Sequence, residues 1–146
     1  MIEGDSGAIK HAVTDEEVMS TFHVMNQLRP QLLQADYVEQ VNRLKQLFSY
    51  EMIMLMRDSE VKAVAGYKLS ESLSWGLYMY VDDLIVDAGS RELGYGRRLL
   101  DWVIAEAVKR GCKQLHLDSG VMRYDAHRLY LKAKMNISCH HFELAL

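Results

Sequence analysis

The sequence predicts one α+β domain with a mixed, mostly antiparallel sheet and helices packed against it. Its 146 residues are the length of one ordinary domain, and no proline-rich, glycine-rich or repetitive stretch divides them. The order of the patterns is the second observation. A strand and two helices come first, then three strands in succession, then helix, strand, helix and strand. We therefore assign residues 1–146 to a single domain.

The residue patterns in the N-terminal third of the chain predict one strand and two helices. Alternating residues at Ala8–Val13 indicate a short strand. Thr14 and Glu17 have the spacing of a capping box, so a helix should begin there and end near Arg29, before the chain's single proline. Asp36 should cap a second helix, whose apolar stripe has a spacing of three and four: Val38, Val41, Leu44 and Leu47 or Phe48.

Three strands should follow in direct succession. Tyr50–Arg57 and Val61–Leu69 are rich in apolar residues, and the polar Asp58-Ser59-Glu60 between them predicts a hairpin. Trp75–Val86 is the third and longest strand. These three segments should form the centre of the sheet.

The C-terminal half begins with the clearest helix pattern, Gly94–Arg110, and Gly111 is placed to end that helix. Gln114–Leu117 should return to the sheet as a strand, and a short helix should begin near Asp125. Asn136–Leu146 predicts a final strand pair or one long strand. The buried face of the long helix should carry four apolar residues: Leu99, Val103, Ile104 and Ala107.

Composition narrows the classes of function. The formal charge of −3 argues against a general nucleic-acid binder, which would have a basic surface. The first residues are polar and no apolar run approaches 18 residues, so we expect neither a signal peptide nor a membrane span. Cys112 and Cys139 are too few for a disulfide framework or a zinc site. We therefore expect a cytoplasmic protein.

A metal centre is not expected either. His140 and His141 are adjacent, so on a strand they would face opposite ways, and together with His116 they show no ligand spacing. A lone histidine such as His116 or His127 is more often structural than catalytic.

The segment Arg91–Gly96 is the most informative motif, because two glycines separate an apolar strand from a helix. Gly94 and Gly96 permit a tight turn that leaves N–H groups at a helix start, where an anion is favoured. A dinucleotide-binding turn would need a third glycine, but Leu99 follows the two arginines, and no Gly-Lys-Ser/Thr of a P-loop is present. A phosphate-bearing ligand of another kind is therefore expected.

This segment resembles the coenzyme A loop of the GNAT family of N-acetyltransferases, whose pattern is Arg or Gln, two residues, Gly, one residue, Gly or Ala. Arg91, Gly94 and Gly96 fit that pattern, and Leu84 and Val86 fit the apolar positions of the preceding strand. The resemblance extends over roughly residues 75–135. It implies a three-layer α/β/α fold and acetyl-CoA as the co-substrate.

The resemblance also implies how the coenzyme would be held. Main-chain groups of one strand end would pair with the pantetheine arm, and one N–H would polarise the thioester carbonyl: Leu84, Ile85 and Val86. The loop amides, assisted by the charges of Arg91 and Arg97, would hold the pyrophosphate: Leu93, Gly94, Tyr95, Gly96 and Arg97.

A second GNAT signature, an alanine followed four places later by a tyrosine, is matched by Ala126 and Tyr130. In the family this tyrosine often protonates the departing thiolate, which suits a phenol. The family often has Asn where this chain has Arg123, and Gly-Phe where it has Lys134 and Met135. A tyrosine that only packs on its helix is the alternative.

Asp82 and Asp83 resemble the acidic pair of polyamine-type GNAT enzymes, which holds a cationic amine or helps to deprotonate it. Strand alternation sends their side chains to opposite faces, so at most one should face the acceptor cleft directly, and a β-bulge would decide which one. Ordinary edge carboxylates are the alternative. His116, Asp118 and Glu51 are further candidates for a base or a water-binding group.

The function that the resemblance implies is acetyl transfer from acetyl-CoA to a primary amine by direct attack, with small-molecule amines ahead of a protein N-terminus or lysine. A non-catalytic coenzyme A sensor of the same fold is the second hypothesis. An unrelated α+β interaction protein is the third, and it needs two signatures to coincide by chance. Because GNAT proteins are often dimers, the resemblance also implies a homodimer.

Overall fold

The computed structural model describes residues 7–146, which form a five-stranded sheet in the order β1-β2-β3-β4-β5. The pairs from β1 to β4 are antiparallel, and β4 and β5 are parallel. The predicted mixed, mostly antiparallel sheet is thus confirmed. The strands are β1 (Ala8–His11), β2 (Tyr50–Arg57), β3 (Glu60–Ser72), β4 (Gly76–Val86) and β5 (Gln114–Leu117).

Helices cover both faces of the sheet, which confirms the three-layer arrangement. They are α1 (Asp15–Ser20), α2 (Phe22–Leu28), α3 (Gln34–Phe48), α4 (Tyr95–Lys109) and α5 (Tyr124–Lys132), with a 3₁₀ turn at Ala88–Ser90. One core packs α4 and α5 on the sheet through residues such as Leu99, Val103 and Tyr130. The other packs α1, α2 and α3 on the opposite face through residues such as Val18, Val24 and Val41.

The capping box that opens α1 is confirmed. The Glu17 amide donates to Thr14 Oγ1, and the Thr14 amide donates to Glu17 Oε1, both at 3.1 Å. The single helix predicted up to Arg29 is instead two helices that meet at Thr21. Thr21 is buried, and its hydroxyl bonds the Val18 carbonyl at 2.6 Å and Tyr37 Oη at 2.7 Å. Side-chain bonding of this kind to the preceding turn is a known cause of helix bending.

Helix α3 differs from its prediction at both ends. Its N-cap is Leu33, and Asp36 lies in the first turn, where it makes no cap. The buried stripe contains Tyr37 and Val41, whereas Leu47 and Phe48 are 63% and 58% exposed. A carboxylate in the first turn still suits the helix dipole. Val38 and Leu44 also pack against the core, so the predicted stripe is confirmed from Val38 to Leu44 and is wrong only at its last position.

The hairpin between β2 and β3 forms at the predicted place. Asp58 and Ser59 both have positive φ, at 53° and 62°, as the two central residues of a type I′ turn require. β3 runs three residues past its predicted end at Leu69, because it pairs with β4 as far as Ser72. The strand predicted at residues 136–146 is absent: this segment forms neither helix nor strand.

Gly66 of β3 is packed directly beneath the ring of Tyr50 on β2. A Cβ added at Gly66 would lie 1.7 Å from Tyr50 Oη and 2.3 Å from its Cζ. Such distances leave no room for any side chain, since buried rings cannot shift without disturbing their own contacts. The glycine therefore fixes where the Tyr50 hydroxyl lies.

We predict that Gly66→Ala destabilises the fold by about 1–3 kcal/mol, the usual cost of overpacking a core. Urea denaturation would measure the change in the free energy of unfolding. Gly120→Ala is the control, because its added Cβ meets nothing closer than Arg123 Cγ at 3.9 Å. Equal stability of the two variants would contradict the packing argument.

Candidate active site

A cleft opens where β4 and β5 diverge. The two parallel strands pair only as far as Val81 and Leu117, while β4 continues to Val86. Beyond Val81, the β5 side of β4 therefore has no strand partner within residues 7–146. The cavity at this point has a volume of about 220 Å³ and is lined by Leu28, Arg29, Val81, Asp82, Leu84, Leu117, Asp118, Gly120, Arg123 and Tyr130.

A β-bulge in β4 decides which aspartate faces this cleft. Gly66 pairs with Asp83 but Tyr67 pairs with Val81, so Asp82 is an extra residue without a partner on β3. An extra residue lets Val81 and Leu84 both face the α4 side of the sheet, although their spacing is odd. Asp82 lines the cleft, whereas Asp83 lies on the opposite face.

The two carboxylates have different surroundings. Asp82 is partly buried, and this burial, with the nearby charge of Asp83, raises its pKa. The ammonium of Lys68, 3.6 Å away, acts against that increase. Asp83 is 14% exposed and accepts hydrogen bonds from Arg29 Nε at 3.0 Å and Tyr50 Oη at 2.8 Å. Asp82 is therefore the carboxylate available in the cleft, and Asp83 belongs to a structural network.

Tyr130 lies on α5 and reaches the same cavity, with 8% of its surface exposed. Burial raises the pKa of its phenol, and the charge and hydrogen bond of Arg123 act against that increase. Arg123 is itself part of the cavity wall. A phenol with a raised pKa stays protonated at neutral pH, so Tyr130 is available there as a proton donor.

The glycine turn at the start of α4 leaves backbone amides without side-chain partners. Gly94 is the N-cap with φ at 81°, no side chain caps the helix, and the first turn contains no acidic residue. The first bond within the helix runs from the Arg98 amide to the Gly94 carbonyl at 3.1 Å. The amides of Tyr95, Gly96 and Arg97 precede this bond, and an anion would be stabilised there.

The side chains around this turn differ in their partners and in their exposure. Tyr95 is buried, and its hydroxyl accepts a hydrogen bond from Arg57 Nη1 at 2.8 Å, so only its backbone can serve a ligand. Arg97 pairs with Asp101 on the same helix at 2.9 Å. Arg91 and Leu93 are both exposed. Arg91 is thus the basic side chain of the motif that lies on the surface beside the turn.

Gly96 also has a packing task that the motif did not indicate. A Cβ at this position would lie 3.4 Å from Leu129 of α5 and 3.5 Å from Val86 of β4. The absence of a side chain at Gly96 lets α4 approach the end of β4 and the helix that carries Tyr130.

The side chains of Leu84 and Ile85 belong to the two cores, since these residues are 7% and 6% exposed. Only their backbone could therefore contact a ligand.

Arg29 is the site residue that the sequence analysis missed. Its Nη2 donates to the Asp82 carbonyl at 2.9 Å, while its Nε bonds Asp83, 54 residues away in the chain. In the sequence, Arg29 marked only the end of a helix. No local pattern pairs a helix-terminal arginine with a strand so distant in sequence, and only the folded arrangement reveals the contact.

The other candidates for a base or a water-binding group have different surroundings, and only one of them lines the cleft. Glu51 forms a bidentate ion pair with Arg110 and does not line the cavity. His116 stacks on Trp75 with ring centroids 3.5 Å apart, and burial lowers the pKa of its imidazole. Asp118 lines the cleft and hydrogen-bonds the Tyr80 hydroxyl. Asp118 is therefore a second carboxylate of the cavity wall.

No group of three or more His, Cys, Asp or Glu side chains within residues 7–146 is arranged to hold a metal ion. Over the same range, the helices are too short or too polar to cross a membrane.

Comparison with known proteins agrees with this fold. The model of the acetyltransferase (GNAT) family matches residues 17–135. An uncharacterized N-acetyltransferase, YhdJ of Bacillus subtilis (strain 168), is 31% identical over 122 residues, which cover 84% of this chain and 86% of the relative. The chain therefore belongs to the GNAT family of acetyltransferases, and the family resemblance predicted from the sequence is confirmed.

Solved structures show the same fold at low identity. A transcriptional regulator from Bacillus halodurans C-125 superposes with a TM-score of 0.85 at 19% identity, covering 96% of this chain and 99% of that one. A ribosomal-protein-alanine N-acetyltransferase from Brucella melitensis biovar Abortus 2308 has a TM-score of 0.80 at 15% identity, with coverage of 95% and 99%. At these identities the likeness concerns the fold alone.

We predict opposite effects from removing the two aspartate charges. Asp83→Asn should lower the free energy of unfolding by about 1–3 kcal/mol, because it removes a charge-assisted acceptor from Arg29 and Tyr50. Burial raises the pKa of folded Asp82 above 3.8, so its ionisation opposes folding increasingly as the pH rises through that value. Asp82→Asn removes this penalty and should be at least as stable as the parent at pH 7. Urea denaturation measures both, and a more harmful Asp82→Asn would contradict the assignment.

Proposed function

We propose that this protein transfers an acetyl group from acetyl-CoA to a primary amine within a ternary complex. The supporting observation is that Tyr130 and Asp82 line one cavity, while the uncapped first turn of α4 packs, through Gly96, against Val86 of β4 and against Leu129, the neighbour of Tyr130. Family membership supports an acyltransferase. The donor and the acceptor are our inference from the residues of the cleft.

The donor end fits the chemistry of a pyrophosphate. The first amides of α4, from Tyr95 to Arg97, favour a negative charge, and no carboxylate competes for them in the first turn. Arg91 adds a surface cation beside the turn. The main chain of Leu84, Ile85 and Val86 lies past the end of the β4–β5 pairing and would hold the pantetheine arm. One N–H group there would stabilise the oxyanion of the tetrahedral intermediate.

The acceptor end carries two carboxylates, Asp82 and Asp118, on one cavity wall. A protonated amine is attracted to them, and Asp82 can remove a proton from it through a water molecule. The cavity of about 220 Å³ suits a small amine. We therefore favour a small-molecule acceptor and place Asp82 ahead of Asp83 as the group that contacts it.

The proposed reaction balances without a covalent enzyme intermediate. The neutral amine nitrogen attacks the thioester carbonyl carbon, the C–S bond breaks, and the amide and free thiol are the products. Asp82 first takes the ammonium proton through water and releases it to solvent. The proton that the nitrogen loses after the attack passes through water to Asp82, and the thiolate takes a proton from Tyr130. Proton transfer from Asp82 to the Tyr130 phenolate through water then restores both groups. Cys112 and Cys139 do not line the cleft, and burial raises the pKa of the Cys112 thiol, so neither competes as a nucleophile.

Solved structures with this fold suggest two alternative functions, a regulatory coenzyme sensor and a protein acetyltransferase. One solved structure is that of a transcriptional regulator, and another is that of a ribosomal-protein-alanine N-acetyltransferase. Tyr130 in the cleft favours catalysis over a coenzyme sensor, and the small cavity favours a small amine over a protein terminus. A cytoplasmic location and the lack of a nucleic-acid partner stay predictions from composition.

The first experiment measures acetyl-CoA binding by thermal shift, followed by thiol release with a panel of amines on the same preparation. A melting increase together with release by one amine class supports the proposal and identifies the acceptor class. Binding with no release from small amines or peptides favours the sensor. A melting temperature that acetyl-CoA leaves unchanged would overturn the assignment of the glycine turn.

The role of the glycine turn predicts different effects of the same substitution at the two glycines that flank α4. Gly94→Val and Gly111→Val both place a β-branched residue at a positive φ, at 81° and 80°, in open space. Each should cost about 1–2 kcal/mol of stability. Only Gly94→Val should lose the melting increase with acetyl-CoA, because only Gly94 lies at the proposed phosphate-binding end. Equal loss in both variants would contradict a local role.

The role of Tyr130 predicts that Tyr130→Phe lowers kcat by roughly 10²-fold or more, since general acids contribute this much, while the melting increase with acetyl-CoA remains. Because burial raises its pKa above 10, the fall in parent activity that reflects its ionisation should lie above pH 10. Tyr124→Phe, an exposed tyrosine of the same helix, is the matched control. Parent-like turnover in Tyr130→Phe would refute the acid assignment.

A further inference from the structure

Lys68 places a cation beside the carboxylate to which the proposed function assigns the acceptor. Its ammonium nitrogen lies 3.6 Å from Asp82 Oδ1 and 5.9 Å from the centre of the Tyr80 ring. An ammonium within about 6 Å of an aromatic ring face is attracted to that ring. The rim of the cleft thus already holds a cation, close to the position to which the ammonium of an acceptor would be attracted.

Lys68 belongs to a row of three side chains that crosses the sheet. In the strand registers, Lys68 pairs with Tyr80, and Tyr80 pairs with His116, so the three side chains lie on one face. None of the three belongs to either core. Burial lowers the pKa of the His116 imidazole, so this histidine is neutral at pH 7. Lys68 is therefore the cation of this row.

The contact between Lys68 and Asp82 is weak enough to be exchanged. Its length of 3.6 Å exceeds the normal range of a hydrogen bond, and the two side chains are 40% and 29% exposed. Ion pairs with this exposure contribute little to stability, because water screens them. Arg29, by contrast, makes bonds of 2.9 and 3.0 Å to the Asp82 carbonyl and the Asp83 carboxylate. An incoming ammonium can therefore displace Lys68 from Asp82, whereas Arg29 stays in place.

The proposed reaction makes two opposing demands on the acceptor. The carboxylates of Asp82 and Asp118 attract the amine as its ammonium ion, but only the neutral amine can attack the thioester. Carboxylates alone would stabilise the unreactive ion, since an opposite charge within about 4–6 Å favours the charged form. A neighbouring cation has the reverse effect on the ammonium. Lys68 is tethered to β3 within reach of the same carboxylate and can supply that cation.

The other charges described around Asp82 have partners of their own. Asp83 and Arg29 bond each other. The guanidinium of Arg123 acts on the tyrosine of α5 that lines the cavity. The imidazole of His141 lies 3.3 Å from the Asp118 carboxylate and adds a charge there only when it is protonated. Lys68 is the cation whose one described carboxylate contact is with the proposed base itself.

We propose that Lys68 keeps the acceptor amine in its neutral, reactive form: the incoming ammonium takes the place of Lys68 against Asp82, and the displaced lysine remains beside it as a repelling cation. This inference rests on the proposed acetyl transfer. The ammonium gives one proton to Asp82 through water, and its nitrogen keeps the electron pair with which it attacks. Partial burial raises the pKa of Asp82, which makes this carboxylate a better acceptor of that proton.

Steady-state kinetics of Lys68→Met, with an amine that the parent acetylates, test the proposal. Without the neighbouring charge, the ammonium binds more tightly and less of it is neutral. At pH 7, kcat and the KM for the amine should therefore both fall roughly tenfold, the size of the effect of a like charge at this distance, while kcat/KM stays near the parent value. Lys68→Arg keeps the cation and should behave as the parent does.

Lys62→Met is the matched control, because it removes a lysine charge from the same strand, where Lys62 pairs with Glu60 at 2.7 Å. This variant should keep the parent kcat and KM. A higher KM or an unchanged kcat in Lys68→Met would overturn the proposal, and so would the same kinetic change in Lys62→Met.

Calorimetry of n-butylamine binding separates this inference from the proposed function, because it needs no turnover. At pH 7, Lys68→Met should bind n-butylamine roughly tenfold more tightly than the parent does, whereas butan-1-ol, the neutral analogue, should not distinguish the two proteins. Tighter amine binding without thiol release from any amine would support the effect of Lys68 on the ammonium and contradict acetyl transfer. Thiol release by the parent, with unchanged amine binding in Lys68→Met, would support acetyl transfer and overturn the role of Lys68.

Discussion

The hydrogen bonds of Arg29 to the bulge of β4 are the contacts on which the arrangement of the cleft depends. Its guanidinium bonds the Asp82 carbonyl and the Asp83 carboxylate at once, at 2.9 and 3.0 Å, and Tyr50 bonds the other Asp83 oxygen. These bonds join α2, β2 and β4 at the point where β4 leaves β5. They hold the extra residue in place, and the extra residue turns Asp82 toward the cavity.

The same helix also fixes the strand end that leads to the glycine turn. Gln27, two residues before Arg29, donates to Asp87 Oδ1 at 2.8 Å and accepts from the Ala88 amide at 2.9 Å. Asp87 in turn accepts from the Gly89 amide at 3.2 Å. The C-terminal end of α2 therefore positions both the bulge and the start of the segment that carries the proposed phosphate-binding amides, so the two ends of the candidate site share one support.

Caps and turns could be predicted from the sequence, whereas contacts between residues far apart in the chain could not. The capping box at Thr14, the hairpin at Asp58 and the turn at Gly94 depend on a few neighbouring residues, and each lies where the pattern placed it. Arg29 depends on partners more than fifty residues away, and nothing near it in the sequence indicates them. Residues 136–146 have a strand pattern but form no strand, because alternation indicates which face of a strand would be apolar and not which sheet edge would pair with it.

The replacement of the usual asparagine by Arg123 has a physical consequence for the proposed reaction. Burial alone would raise the pKa of Tyr130 further and make it a poorer acid, but the charge and hydrogen bond of Arg123 oppose that effect. Once Tyr130 has given its proton to the thiolate, it becomes a buried anion, which is costly unless it is paired. Arg123 lines the same cavity and supplies that pair. In the proposed reaction, Arg123 would thus support Tyr130 as the acid by stabilising the form that proton donation leaves behind.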